Sequence, residues 1–450
     1  MSIPAIDAWS VFIDLGCVSV LILIGFAVRT ASVWVQRLFL PTSVIAGCGG
    51  LMCGPNGLDI LPFSSLLPQY PSVLITLVFA ALPFTSRSVS QETGSRRAVE
   101  IGSYSAAIVL LQWGLGVLFS LTVLAFVWPD LPRGFGTILA SGFVGGHGTA
   151  AALGAAFNNL GEQSWSEAGA LAMTSATVGI LSAVVGGMLW VQWAARNGTT
   201  QFLARFDDLP DELRTGRVPD NRRSPLGYET LSPLALDPLI FHVALVATAA
   251  FGGYLLTGLS SVYLGEYRPP SFCLAFVCGF GLKHLCTRLR FADTVDRTVM
   301  LRLSGALTDV LVVCGIAAVS LEIVARHALP LLALFVFGLA LCWAVFYAGG
   351  PRIFHDLWFE KSLFTWGWVT GVMAIALALL RVVDPRDESE ILDPFARAYL
   401  FVAPLEVGLV SFAPLLIAQG FAWSFVGATV LAGFAALLWD GWRNAGRGVG

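Results

Sequence analysis

Apolar residues in this chain fall into long blocks separated by short polar turns. A helix needs about 20 apolar residues to cross the hydrocarbon of a bilayer, and blocks of that order recur along the whole length. The pattern predicts spans at 11–28, 40–54, 72–85, 101–128, 168–195, 238–259, 270–286, 303–324, 330–348 and 396–418. Two further blocks, 135–157 and 359–380, are apolar but laced with Gly, Ser and Thr, and 421–439 offers one more span. The chain therefore reads as an all-α polytopic membrane protein.

Composition sharpens this. Of 450 residues 56% are hydrophobic and 12% charged, too little charge to cover a soluble surface of that size. A net charge of −3 argues against a nucleic-acid-binding surface. The eight Cys lie in or beside apolar blocks, without zinc or redox spacing, and read as small buried thiols. No basic residue precedes Arg29, so 11–28 reads as a retained helix and not as a secretory signal.

Charge also organises the chain. Residues 197–236 hold Arg205, Arg214, Arg217, Arg222 and Arg223 with Asp207, Asp208, Asp211, Glu212 and Asp220, a polar linker between two halves. The domains expected are a first transmembrane repeat at 1–196, a cytoplasmic linker at 197–236, a second repeat at 237–420 and an extra helix or tail at 421–450. Basic residues cluster at Arg29/Arg37, at Arg87–Arg97, in the linker and at Lys283–Arg302. The positive-inside rule then sets an external N-terminus, and it closes only if 135–157 enters and leaves from the same side as a re-entrant segment. Pro41-Thr42-Ser43 in one half matches Pro269-Pro270-Ser271 in the other, and the block order after each is the same. Each half has five spans, an odd number, so the second inserts upside down. Inverted repeats with interrupted segments in corresponding places are the mark of a secondary transporter.

The densest chemistry lies in Ser141-Gly142-Phe143-Val144-Gly145-Gly146-His147-Gly148-Thr149-Ala150. Three Gly, a His and a Thr in five residues weaken a spanning helix, and a break at membrane depth is tolerated only where it is buried or lines a cavity. Free N–H groups there face an anion, free C=O groups a cation. Close packing by small residues accounts for the Gly but not for His147 and Thr149 together. Gly145-Gly146-His147-Gly148-Thr149-Ala150 resembles the signature of the sodium–glutamate symporter family. Leu40-Pro41-Thr42-Ser43, the 168–187 helix and Arg268-Pro269-Pro270-Ser271-Phe272 are similar to further parts of that family, over nearly the whole chain to about residue 418. The resemblance implies inverted halves, two re-entrant segments, an elevator-type motion against a dimeric scaffold and sodium-coupled uptake of an amino-acid anion. It also implies a homodimer in a bacterial cytoplasmic membrane.

The family's second re-entrant segment is Gly-rich; here it reads Glu360-Lys361-Ser362-Leu363-Phe364-Thr365-Trp366-Gly367-Trp368-Val369-Thr370-Gly371. Lys361, Thr365, Trp366, Thr370 and Gly371 join Gly145, Gly146, His147, Gly148 and Thr149 as candidate substrate residues. One of the two Trp is expected to face the site and take the volume a long side chain needs, which disfavours glutamate as the best substrate. Asp309, with Ser304 and Thr308, is the candidate sodium site, since a carboxylate beside hydroxyls suits a hard cation and intramembrane acids are usually functional. Glu406 is a second such acid. The function expected is sodium-coupled symport of a small organic anion, with no resident cofactor and no catalytic role. Proton coupling, with His147 titrating, is the alternative, and a lipid-modifying membrane enzyme or a channel are the rivals from other classes. No Gly-Lys-Ser/Thr phosphate loop is present to couple ATP.

Overall fold

The computed structural model describes residues 7–37, 40–85, 96–160, 163–199, 215, 217–220, 223–264, 269–384 and 389–445. Among these the chain is helical, without strands. The helices are α1 (Ala8–Ala31), α2 (Thr42–Cys53), α3 (Tyr70–Thr85) and α4 (Arg96–Phe119, continued by a π turn Ser120–Leu124). After them come α5 (Thr137–Phe143), α6 (Gly146–Asn158), α7 (Ala168–Asn197), α8 (Pro238–Leu264), α9 (Ser271–Arg288) and α10 (Arg297–Ala317). Next is α11 (Ala328–Ala344, continued by a π turn Val345–Gly349 into Gly350–Ile353). The last are α12 (Trp358–Thr370), α13 (Met373–Val383), α14 (Leu392–Ala418) and α15 (Ala422–Ala445). Eight helices among the described residues are long and apolar enough to cross a bilayer, which makes this a multi-pass membrane protein.

The order of elements from α1 to α7 recurs from α8 to α14. Both α2 and α9 start from a Pro N-cap in nearly the same conformation, Pro41 at φ −57°, ψ 142° and Pro270 at φ −59°, ψ 141°. Both α4 and α11 end in a π turn, and each is followed by a broken helix pair. Two of the ten expected spans fall on helices that are not among the eight. Helix α2 is apolar but has only 12 residues, about 18 Å of rise. Helix α9 carries Lys283 and Arg288 in its last turns and is not among the eight. The Asp207–Asp211 run of the linker lies outside the described residues.

Packing divides the helices into two groups, each drawing on both halves of the chain. In one, α1 packs on α2, α2 and α3 on α10, and α9 on α3 and α8; in the other, α4 carries α14 and α15 while α7 packs on α5, α6 and α12. The groups meet where α6 touches α3 and α10, and where Cys273 on α9 lies 2.5 Å from the Ser411 hydroxyl on α14.

Polar side chains pin each end. Asp14, 1% exposed in α1, accepts hydrogen bonds from Ser64 N (2.7 Å), Ser64 Oγ (2.5 Å) and Tyr70 Oη (2.6 Å). Elsewhere Lys283 Nζ donates to the Pro83 carbonyl (2.7 Å) and Arg297 Nε to that of Thr85 (2.7 Å), tying α9 and α10 to the end of α3.

Hydrogen bonds to a charged acceptor contribute about 1.5–3 kcal/mol each. Asp14→Ala therefore lowers the melting temperature of detergent-solubilised protein clearly more than Asp7→Ala, which removes only an N-cap bond to Trp9 N worth about 1 kcal/mol. Equal shifts in thermal unfolding would show that the Asp14 cluster does not hold α1.

Candidate functional site

Two interrupted helices meet in the middle of the molecule. The chain enters α5 and leaves α6 at one end: Phe135 and Phe157 both lie against Trp165, at ring distances of 6.2 and 5.3 Å. At the opposite end Trp358, the first residue of α12, lies 6.4 Å from Trp193 near the end of α7. Every residue of α5 is buried, as is every residue of α12 after Trp358. For α5 this is what an apolar sequence without a polar face predicts; α12 is buried although it carries Glu360 and Lys361.

The breaks touch. Gly146 has φ +60°, the left-handed region that glycine adopts freely, and a Cβ there would lie 2.9 Å from Val372 Cγ1 and 3.5 Å from the Gly371 carbonyl oxygen. Helix α7 supplies the floor under both. A Cβ on Gly142 would strike Ser175, one on Gly179 would meet the Thr370 carbonyl and Phe143, and one on Gly371 would meet Ala183. Ser175, Gly179, Ala183 and Gly187 recur every four residues, one small-residue face of α7.

The polar groups at this junction are unevenly satisfied. The N–H groups of Gly146 and His147 opening α6, and of Val372 and Met373 opening α13, find no carbonyl among the described residues. First-turn N–H groups of helices are left over in this way and carry the positive end of the helix dipole. His147 is 2% exposed. Thr177 Oγ1 donates to the Met173 carbonyl (3.0 Å), so it accepts from His147 Nε2 at 3.2 Å. That tautomer leaves Nδ1 as a bare acceptor, buried and without a partner among the described residues. From α4, Gln112 Nε2 donates to the Val369 carbonyl (2.9 Å) near the end of α12, while its Oε1 is likewise unpartnered.

The other sequence candidates fall in different places. Thr149 folds back over Gly145, and Gly148 faces Ile75 of α3. Thr365 and Thr370 spend their hydroxyls within α12, on the carbonyls of Lys361 (2.9 Å) and Trp366 (2.5 Å). Trp366 and Trp368 do point to opposite sides of a helix, but both are buried. Trp366 lies over Gly186 and donates to the Ala183 carbonyl at 3.0 Å; Trp368 packs on Phe395 and Tyr399 of α14. Asp309 is exposed on α10, with no hydrogen bond or ion pair among the described residues, and Thr308 Oγ1 donates to the Ser304 carbonyl of its own helix. None of the three bonds to a residue of either break. Glu406, on α14, accepts from Tyr399 Oη (3.3 Å) through one oxygen; the other is buried without a partner.

Lys361 does not pair with its neighbour Glu360, since adjacent helical residues face different ways. It is 1% exposed and reaches Asp356 Oδ1 at 2.5 Å and Glu100 Oε2 at 3.8 Å, over the ring of Phe354. Arg97 joins from α4 (2.6 Å to Asp356), and His355 from the loop before α12 (3.8 Å to Glu100). Nine residues, about 14 Å of helix, separate Lys361 from Thr370. The cluster binds the base of α12 to the start of α4. Asp356 is pushed up by burial, but the hydrogen bond and charge of Lys361 and the charge of Arg97 outweigh this and hold it below the usual carboxylate range.

Sequence reading missed Thr177, Gln112, Glu100, Asp356 and Val372. A lone amide inside the run Ile108–Gly114 was a usable signal for Gln112; nothing local announces the others. Comparisons with protein-family models, with curated proteins and with solved structures give no match to this chain.

Two outcomes follow from this geometry. A left-handed L-residue costs about 1–2 kcal/mol, so Gly146→Ala and Gly198→Ala, the latter at φ +64° with open space around it, share that strain. Gly146→Ala should lower the melting temperature further, through Val372, and Gly146→Ala/Val372→Ala should recover the excess; no recovery would show that the breaks are not in contact. The Asp356 carboxylate, depressed in the folded state, contributes stability that is present at neutral pH and lost as pH falls below about 4. The contribution is modest because the side chain is 42% exposed. Asp356→Asn should thus be less stable than wild type at pH 7, with the gap closing in acid; a gap independent of pH would show that the charge is not what matters.

Proposed function

We propose that the chain is an ion-coupled secondary transporter of a small organic anion, built from two inverted repeats and working by an elevator motion. The observation that carries this is the meeting of two helix breaks, entered from opposite ends of the molecule, at Gly146 and Gly371–Val372. There the N-termini of α6 and α13 bring unpaired N–H groups together at mid-membrane, an arrangement that favours a carboxylate. The C-terminal carbonyls of α5 and α12 offer the complementary end to a cation. The repeated element order, with Pro-started helices and π turns in matching places, supports the inverted repeat. The two helix groups supply a moving body and a scaffold.

The motif resemblance favours sodium as the coupling ion, a glutamate-like carboxylate as substrate, a homodimer and a bacterial cytoplasmic membrane. Proton coupling is the second reading. It is favoured by two acceptors sealed in the second helix group, His147 Nδ1 and Glu406 Oε1, while Asp309 is exposed. A carrier, not an enzyme or a channel, is the role proposed.

The test is counterflow in liposomes. Protein loaded with an unlabelled carboxylate should accumulate the labelled form, drawn from a panel of glutamate, aspartate and dicarboxylates. An imposed sodium gradient should drive uptake where a proton gradient does not. No exchange of any carboxylate under either gradient would sink the transport reading, and drive by protons alone would replace sodium with the second reading.

A further inference from the structure

Helix α15 stands outside the repeated order. It is tight on α4, where a Cβ on Gly114 would lie 2.4 Å from Thr429 Oγ1 and one on Gly433 would lie 2.8 Å from Leu111. Between α15 and α11, with α4 as floor, a groove of about 840 Å³ opens. Its lining is apolar except for one side chain, Arg352, at the end where α11 gives way to the Phe354–Leu357 loop. The Arg352 guanidinium is exposed, donates to the Ala348 carbonyl of its own helix and pairs with no carboxylate among the described residues. The π turn Val345–Gly349 forms part of the wall; such turns are frequent at functional positions.

We propose that this groove binds one anionic glycerophospholipid, its acyl chain along α15 and its phosphate on Arg352. Length selects the occupant. Along α11 the groove runs from Leu341 to Ile353, 12 residue steps or about 18 Å. That is close to one leaflet of hydrocarbon, about half of 30 Å. A helix from a second copy needs the full thickness, whereas an acyl chain needs one leaflet. Charge selects the headgroup, because a lone guanidinium at the mouth of an apolar slot prefers a phosphodiester with net negative charge over a zwitterion. Arg352 sits at the same end as Arg97, which reaches Asp356 four residues on, and as the last turn of α7 with Arg196. The positive-inside rule assigns that end to the cytoplasm, whose leaflet carries anionic lipid. The site is independent of the transport reading.

Delipidated protein in detergent is titrated with dioleoylphosphatidylglycerol or dioleoylphosphatidylcholine while thermal unfolding and, by native mass spectrometry, retained lipid are measured. Wild type should be stabilised several-fold more by the anionic lipid at equal concentration, through mass action on the folded state. Arg352→Gln, at an exposed position, should reduce that response to the level of the zwitterion. Ala344→Trp, which fills the groove, should abolish retention of both. Equal responses in wild type, or an anionic preference that survives Arg352→Gln, would overturn the site. Loss of a dimer in Ala344→Trp with lipid retention intact would overturn it in favour of a second copy.

Discussion

Hydrocarbon offers no hydrogen bonds, so a helix interrupted at membrane depth must have its freed N–H and C=O groups enclosed by protein. The centre of this molecule is organised by that constraint. Helices α5 and α12 lead into breaks; α5 is buried from end to end and α12 throughout after Trp358. The enclosure is possible because α7 presents Ser175, Gly179 and Ala183 to the two breaks at once, with backbone approaches that any added carbon would obstruct. Gln112 then satisfies the Val369 carbonyl from the opposite side. Among the groups left unsatisfied are the N–H groups opening α6 and α13, at breaks that touch, and the Nδ1 of His147 in the first turn of α6. Unpaired groups of this kind are what a site for a polar ligand requires.

The same enclosure explains the ion cluster at the base of α12. Burying an ammonium costs several kcal/mol unless partners offset it. Lys361 is tolerated because Asp356 and Glu100 flank it, with Arg97 also paired to Asp356. The cluster joins residues more than 250 positions apart in the chain, and it makes α4 and α12 one body. Trp366 extends that body to α7 through the Ala183 carbonyl, and Trp190 stacks on Phe346 of the α11 π turn at 4.0 Å.

Much of this was legible in the sequence because a bilayer simplifies the code. Long apolar blocks must be helices that pair their own backbone, so the order of spans could be read directly. The Gly and Thr residues around His147 marked a break, since glycine at mid-span weakens a helix and His is rare there. Two of the expected spans stand apart from the other eight, since α2 has only 12 residues and α9 carries Lys283 and Arg288 in its last turns.

What the sequence by itself determined, then, is class and punctuation: a multi-pass helical protein, a polar linker, and two places where helices break. Tertiary structure alone decided partnership. Lys361 became one member of an ion cluster and Trp366 a donor to α7, while Asp309 was left exposed and Thr177 and Gln112 were brought to the breaks. The physical reason is range. Backbone pairing and the hydrophobic period act between residues a few positions apart and leave a local trace. Side-chain hydrogen bonds and ion pairs act between surfaces that become neighbours only when helices from both halves pack, and no local pattern encodes which neighbour that is.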